Sequence, residues 1–323
     1  MLTDSFGRVL DYLRVSVTDR CSLRCVYCMP PEGVEWKPHD SILSFEEIIR
    51  LVKIMASLGV RRVKVTGGEP LLRKGVSSLP GNLKNIHGIE KVTLTTNGLL
   101  LGKYLDDLQE QNSLPDGINI SLDALDAERY KHITRCENAA PEEILSSVDR
   151  LLEKQVAVKI NCVPVRGINE EEIMPIAALA KDRNVIVRFI ELMPIGSAAS
   201  FKTVSGDEAK AVIEKEFGIL TPFDGLKGSG PAVYYSLRGF AGKIGFINAV
   251  SRNFCKTCNR LRLTSEGFLK LCLSNDTGIN LRELLRTGAS DNDLACVITE
   301  AAANKPQSYN FSDHHEGMSK VGG

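Results

Sequence analysis

Tyr12-Leu13-Arg14-Val15-Ser16-Val17-Thr18 alternates apolar and polar side chains with period two, and Cys21-Ser22-Leu23-Arg24-Cys25-Val26-Tyr27-Cys28 follows at once. The alternation predicts a strand with Leu13, Val15 and Val17 on one face and Arg14, Ser16 and Thr18 on the other. β-Branched runs recur at 61–66, 92–96, 118–122, 156–163 and 185–191, with helical patterns between them. The clearest helix signal is Ser44-Phe45-Glu46-Glu47, a capping box that leads into Ile48, Ile49, Val52 and Met55 and stops at Gly59. Asn169 to Glu172 is expected to open another helix. This rhythm is that of βα units on a parallel sheet. Six units are two short of a TIM barrel, so the expected fold is α/β, a partial open (β/α)6 barrel.

The outer face of such a barrel must be apolar to receive its helices, so the polar faces point into the lumen. That places Arg14, Arg62, Lys64, Lys159 and Arg188 inside, with Thr66, Thr93, Thr95, Asn119, Ser121, Asp123 and Asn161. Any one cation could pair with Glu69, Asp123 or Glu191. Five buried together need more negative charge than that, and a polyanion such as a phosphate ester supplies it.

After Met193-Pro194-Ile195-Gly196 the rhythm ends, which divides the chain into residues 1–195 and a C-terminal α+β domain, 196–323. The second part is expected to hold a helix near 206–217, a glycine-rich segment around Gly228-Ser229-Gly230, and strands near 233–237 and 244–249. Helices are expected from about Asn280 and Asp291, followed by a polar tail. Forty basic residues balance forty acidic ones, so no global field favours nucleic acid or an anionic membrane as partner. No apolar run approaches the eighteen or so residues that span a bilayer, and no signal or transit peptide opens the chain, so a cytoplasmic protein is expected.

In that reducing compartment clustered cysteines are metal ligands or catalysts rather than disulfides. Six of the nine form two groups of three: Cys21, Cys25 and Cys28, then Cys255, Cys258 and Cys272. Cys136, Cys162 and Cys296 stand apart and are expected to be buried structural thiols. Each group is one thiolate short of a closed four-coordinate site, the arrangement of a centre that keeps a position open for chemistry. A three-cysteine zinc site with a distant fourth ligand is the alternative. Thr66-Gly67-Gly68-Glu69-Pro70 ends the second strand, where two glycines would let a ligand approach the backbone.

C-x3-C-x2-C with Tyr27 before its third cysteine, together with Gly-Gly-Glu-Pro, resembles the radical S-adenosylmethionine (SAM) superfamily. There the open iron of a [4Fe–4S] cluster chelates SAM, and an electron from the cluster gives a 5′-deoxyadenosyl radical. The second group, with Arg260-Leu261-Arg262 after it and Gly322-Gly323 at the end, resembles MoaA-type GTP 3′,8-cyclases, first enzymes of molybdenum cofactor synthesis. This resemblance runs from Asp4 to Gly323. It implies two [4Fe–4S] clusters as cofactors, one on each cysteine group, with SAM on the first. SAM contacts map to Tyr27, Gly68, Ser121 and Met193, and GTP contacts to Arg14, Lys64, Thr95, Lys159, Arg260 and Arg262. Arg62 and Arg188 map to the triphosphate, and Gly322-Gly323 to a tail that enters the active site and assists catalysis.

The resemblance further implies hydrogen abstraction from C3′ of GTP, attack on C8, and reduction to (8S)-3′,8-cyclo-7,8-dihydroguanosine 5′-triphosphate. The implied partners are an electron donor, the downstream cyclic pyranopterin monophosphate synthase and a second copy in a homodimer. One residue departs from the family pattern: Lys64 stands where Arg is usual, keeping the charge and losing the bidentate fork. Two other classes stay open at this point. They are a peptide-modifying radical SAM enzyme with an auxiliary cluster, which needs no cationic lumen, and a zinc-binding structural module.

Overall fold

The computed structural model describes residues 1–225 and 230–309. Gly228 and the Gly322-Gly323 end lie outside the described residues. The opening alternation forms β1 (Tyr12–Ser16), with Leu13 and Val15 fully buried on its outer side. There follow α1 (Phe45–Ser57), β2 (Arg62–Thr66), α2 (Leu79–Lys84), β3 (Lys91–Thr96), α3 (Leu101–Glu110), β4 (Gly117–Ser121), α4 (Ala127–Thr134) and α5 (Pro141–Glu153). Then come β5 (Ala157–Cys162), α6 (Ile173–Asp182), β6 (Ile186–Ile190), α7 (Gly206–Phe217), β7 (Thr221–Pro222), β8 (Val233–Ser236) and β9 (Lys243–Ile247). The chain continues through β10 (Arg260–Leu263), β11 (Phe268–Lys270), β12 (Gly278–Asn280), α8 (Leu281–Arg286) and α9 (Asp291–Ala303).

The capping box forms as expected: Ser44 Oγ accepts from Glu47 N, and the Glu47 carboxylate accepts from Ser44 N. Asn169 stands at the N-cap of a 3₁₀ turn, 170–172, that runs directly into α6, but its side chain does not cap it. Its Oδ1 accepts from Val165 N, its Nδ2 donates to the Asp123 and Val163 carbonyls, and α6 begins after a short 3₁₀ turn.

β1 to β6 pair in order, all parallel, with Leu, Val and Ile packed between the sheet and the helices. The barrel stays open, and the C-terminal segment extends the sheet at both margins. On one side β10 pairs parallel with β1 and carries β11 and β12; on the other β9 pairs parallel with β6 and carries β8 and β7. The sheet therefore runs across residue 195 without a break, and among the described residues twelve strands form one sheet. No helix among the described residues is long and apolar enough to cross a membrane.

Of the three solitary cysteines only Cys162 is fully buried; Cys136 is half-buried and Cys296 exposed. Cys296 sits on α9 off the stripe of Leu294, Ile298 and Ala302 that packs inward, which is why it meets solvent.

Candidate active site

Strand direction sets the two cysteine groups apart. Cys21, Cys25 and Cys28 follow β1, so they stand at the C-terminal rim of the barrel. Cys255 and Cys258 precede β10, which runs parallel to β1 with Tyr12 opposite Arg260, so they stand at the other end. β11 returns antiparallel with Lys270 opposite Arg262, and the same register carries Cys272 back beside Arg260. The hairpin thus explains why the third cysteine of this group is so far along the chain.

The first group is held from two sides. Gly68 N donates to Thr18 O at 2.8 Å and Glu69 N to Arg20 O at 2.7 Å, binding the exit of β2 to the entry of the cysteine loop. A Cβ on Gly67 would stand 2.7 Å from Thr18 O, and one on Gly68 2.4 Å from Arg20 O. The two glycines therefore make room for the chain's own backbone on one side while lining the cavity on the other. Opposite, Arg24 N and Val26 N donate to the Thr134 and Ile133 carbonyls at the end of α4, each at 2.9 Å. Asn97 reaches the loop as well, its Nδ2 donating to Cys21 Sγ at 3.9 Å and Ser22 Oγ at 3.1 Å.

The three acids that could have neutralised lumen cations are engaged elsewhere. Glu69, fully buried, accepts from Thr96 Oγ1, Asn97 N and Leu71 N, and burial pushes its carboxyl up to about 7. Asp123 accepts from Tyr27 OH in a short bond and from Val163 N, and burial raises it to about 6. Glu191 accepts from Gly206 N, Val250 N and Ser251.

The cations line up on the strands. Arg262, Arg14 and Lys64 occupy one rung across β10, β1 and β2; Arg260, Tyr12, Arg62 and Lys91 form the rung below, nearer the second cysteine group. Arg62 departs from the expected set because Asp11 Oδ2 takes its Nη1 at 2.5 Å. Arg188 is aimed by neutral amides, Nε donating to Asn161 Oδ1 at 2.8 Å and Nη2 to Asn119 Oδ1 at 2.7 Å. Glycine at 245 leaves space beside it, since a Cβ there would stand 2.9 Å from the Tyr234 ring. Lys159 Nζ lies 3.5 Å from Tyr234 OH. Lys64, 9% exposed, has no hydrogen-bond or ion-pair partner among the described residues. Burial and then Arg14 and Arg188 hold its ammonium well below the usual lysine range. Burial and Arg188 bring Lys159 down to about 8, and burial brings Arg14 down to about 10.

Every sequence-selected site residue except Gly322 and Gly323 lines one cavity of about 420 Å³. Tyr27, Gly68, Ser121 and Met193 stand with the first cysteine group toward the C-terminal rim, Arg188 shares a rung with Ser121 through Asn161, and Arg14, Lys64, Arg260 and Arg262 stand along the strands toward the second group. Thr95 Oγ1 and Tyr130 OH are buried there without a hydrogen-bond partner among the described residues. Tyr12, Asn97, Tyr130, Tyr234 and Lys305 also line the cavity and were missed by the sequence reading. Tyr12 opens the first run on the Arg14 face and Asn97 follows the third strand, so period could have flagged both; Lys305 carries no local signal.

The thiols suit iron–sulfur clusters. All six are free, and burial pushes up Cys21, Cys25 and, to about 12, Cys28, so that a bound cation is what would draw off their protons. At Cys258 burial is outweighed by Arg260 and Lys305, which bring the thiol down to about 7. No three His, Cys, Asp or Glu side chains among the described residues are grouped tightly enough for a single metal ion. A cubane makes no such demand, because each thiolate meets a different iron.

An open parallel barrel with three thiols just beyond its first strand defines a class, and residues 15–180 match the Radical SAM superfamily. In overall fold the chain is similar to Streptococcus suis SuiB bound to S-adenosylmethionine, at 16% identity and a TM-score of 0.63 over 90% of this chain and 68% of that one. Residues 185–311 match the Molybdenum Cofactor Synthesis C family. Among curated relatives, the GTP 3′,8-cyclase of Clostridium perfringens (strain 13 / Type A) is 45% identical over 96% of this chain and 95% of that protein. That of Heliobacterium modesticaldum is 44% identical over the full length of both. The chain belongs to the GTP 3′,8-cyclase family.

Proposed function

We propose that the chain converts GTP to (8S)-3′,8-cyclo-7,8-dihydroguanosine 5′-triphosphate, with the two cysteine groups serving as the two ends of one active site. The observation that carries this reading is the rung Arg262, Arg14, Lys64, which sets three cations side by side between thiol groups at opposite ends of a single cavity. Cys21, Cys25 and Cys28 would hold one [4Fe–4S] cluster and Cys255, Cys258 and Cys272 the other. When bound, SAM and the reduced cluster supply a carbon-centred radical that removes one hydrogen from the substrate.

The chain's own residues bind and orient. Tyr27, Gly68, Ser121 and Met193 line the SAM end, and Arg14, Lys64, Lys159, Arg188 and Arg262 take the triphosphate, whose charge relieves their mutual repulsion. Thr95 Oγ1, lacking a partner among the described residues, has a hydrogen bond to give to the nucleotide. Arg260, which lines the cavity with Cys258 and Cys272, would take the end of the nucleotide away from the triphosphate. Arg62 is assigned a supporting part, since Asp11 already neutralises it. Gly322 and Gly323 keep the catalytic role that the family implies. Holding the nucleotide at both ends fixes which ribose hydrogen faces the radical source.

The same reading makes the protein cytoplasmic. It carries over as partners a one-electron donor, the downstream cyclic pyranopterin monophosphate synthase and a second copy in a homodimer. The test is anaerobic incubation of the reconstituted protein with GTP, SAM and dithionite. Release of 5′-deoxyadenosine is expected to depend on GTP and to accompany the cyclised nucleotide. Equal release with and without GTP sinks the assignment.

A further inference from the structure

The chain leaves α9 and lays residues 305–309 across the second cysteine group, at the end of the cavity opposite SAM. An arginine near the N-terminus holds this strap down. Arg8, 8% exposed, is itself fixed by Asp4, its Nε donating to Asp4 Oδ2 at 2.5 Å. Its Nη1 donates to Cys255 O at 2.7 Å and Gln307 O at 3.2 Å, and its Nη2 to Pro306 O at 2.6 Å and Lys305 O at 3.3 Å. One guanidinium thereby joins the strap to the backbone of the first cysteine in the group.

Lys305, 2% exposed, points inward from the strap. Its ammonium donates to Arg260 O at 2.9 Å and, in a short bond, to Leu271 O. Those carbonyls stand two residues after Cys258 and one before Cys272, so the ammonium sits between the two arms of the hairpin that presents both thiols. An ammonium has three donors, and two carbonyls leave the third N–H for whatever the thiolates bind. The residues that face it include the thiols Cys258 and Cys272 and the cations Arg8 and Arg260. A carbonyl pair does not neutralise a buried cation; thiolates do.

The geometry points to Lys305 as a positioning residue of the second cysteine site: its buried positive charge holds the Cys258 and Cys272 thiolates in place and makes the centre they carry easier to reduce. This rests on the reading above that a cluster occupies the site. The role is a matter of charge as well as shape, because an extra positive charge beside a cluster favours its reduced, more negative state. It also ties the site to the segment that follows α9, since loosening the strap withdraws the ammonium.

The test uses full-length protein with Cys21, Cys25 and Cys28 changed to Ala, so that iron reports the second site alone, and compares Lys305, Lys305→Gln and Lys305→Arg. Glutamine retains donors for the two carbonyls and loses the charge; arginine retains the charge. EPR-monitored redox titration is expected to show reduction of the Lys305→Gln cluster at least tenfold less favourable, about 59 mV for one electron, with Lys305→Arg close to the parent. Loss of iron from Lys305→Gln alone, with Lys305→Arg loaded, also supports the role. Equal potentials and equal iron retention in all three overturn it. So does parallel loss of iron and of thermal stability in both variants, which marks a purely structural lysine. If the parent holds no iron at this site, the cluster reading fails first and the inference falls with it.

Discussion

Arg14 on β1 and Arg262 on β10 are register partners on adjacent parallel strands, and Lys64 continues the same rung on β2. Neighbouring strands lie about 4.8 Å apart, so three side chains of like charge leave the sheet side by side. Burial, then Arg14 and Arg260, push the Arg262 guanidinium well below its ordinary range. A fold does not gain stability from such a row. The row is intelligible as a seat for a strongly negative ligand, whose binding turns repulsion into attraction.

Arg262→Met should therefore separate binding from stability. Loss of a buried charge contact costs about 2–5 kcal/mol, thirtyfold or more in GTP affinity. Without GTP, removal of a charge that burial, Arg14 and Arg260 oppose should cost the fold less than it costs GTP binding. Equilibrium dialysis and thermal melts measure the two effects. Unchanged GTP affinity together with a lower melting temperature would make Arg262 a structural residue.

Lys159 predicts a proton linkage. Its pKa of about 8 in the folded protein lies below the ordinary 10.5, so the empty fold binds fewer protons than the unfolded chain between those values and gains stability as pH rises across them. Triphosphate binding favours the ammonium and reverses this. GTP affinity should be highest below about pH 8 and fall above it, with proton uptake detectable by calorimetry in buffers of different ionisation enthalpy. Lys159→Arg should shift the fall to higher pH. Parallel affinity profiles for parent and variant would exclude Lys159 as its source.

The sequence showed the six barrel strands and their inward faces because each runs five or six residues with clean alternation, enough to display a period. It did not show β10 to β12, which span three or four residues and join the barrel only where β10 pairs with β1, some 250 positions away in the chain. The cations were legible because a charged residue on an inward face breaks the apolar rule. Lys305 was not, because a lysine in a polar tail breaks none, and only tertiary closure buries it. Gly67 and Gly68 were noticed for close approach, and the backbone of the cysteine loop, which a Cβ on either would meet, was not legible in the sequence.

Glu69→Gln should loosen the first cysteine site without touching it. The Glu69 carboxylate serves three donors, Thr96 Oγ1, Leu71 N and Asn97 N, and an amide has only one oxygen to offer them. An unsatisfied buried donor costs about 1–3 kcal/mol, and the displaced Asn97 is the residue that donates to Cys21 Sγ. The melting temperature should fall by about 2–10 °C, and iron should leave the first site faster under a chelator. The folded pKa of about 7 exceeds the ordinary 4.5, so the stability that Glu69 contributes is complete below about 4.5 and is lost as pH rises through about 7. The gap between parent and variant should narrow over that window. A constant gap from pH 5 to 8 would deny Glu69 this linkage.

Gly68→Ala tests whether the exit of β2 and the cysteine loop form one unit. An added Cβ would stand 2.4 Å from Arg20 O, 2.6 Å from Arg20 C and 2.7 Å from Asp19 O, all backbone atoms that cannot rotate away. Relief requires the loop that begins at Cys21 to move outward, breaking the bonds from Gly68 N to Thr18 O and from Glu69 N to Arg20 O. Overpacking of this kind costs about 1–3 kcal/mol, and the strain falls on one end of the cavity. The variant should lose iron from the Cys21, Cys25, Cys28 site and bind SAM at least tenfold more weakly, while the Cys255, Cys258, Cys272 site stays loaded. Mössbauer quantification of each cluster distinguishes this from general misfolding, which would empty both sites. A fully loaded first site with normal SAM binding would show that the loop moves independently of the strand exit.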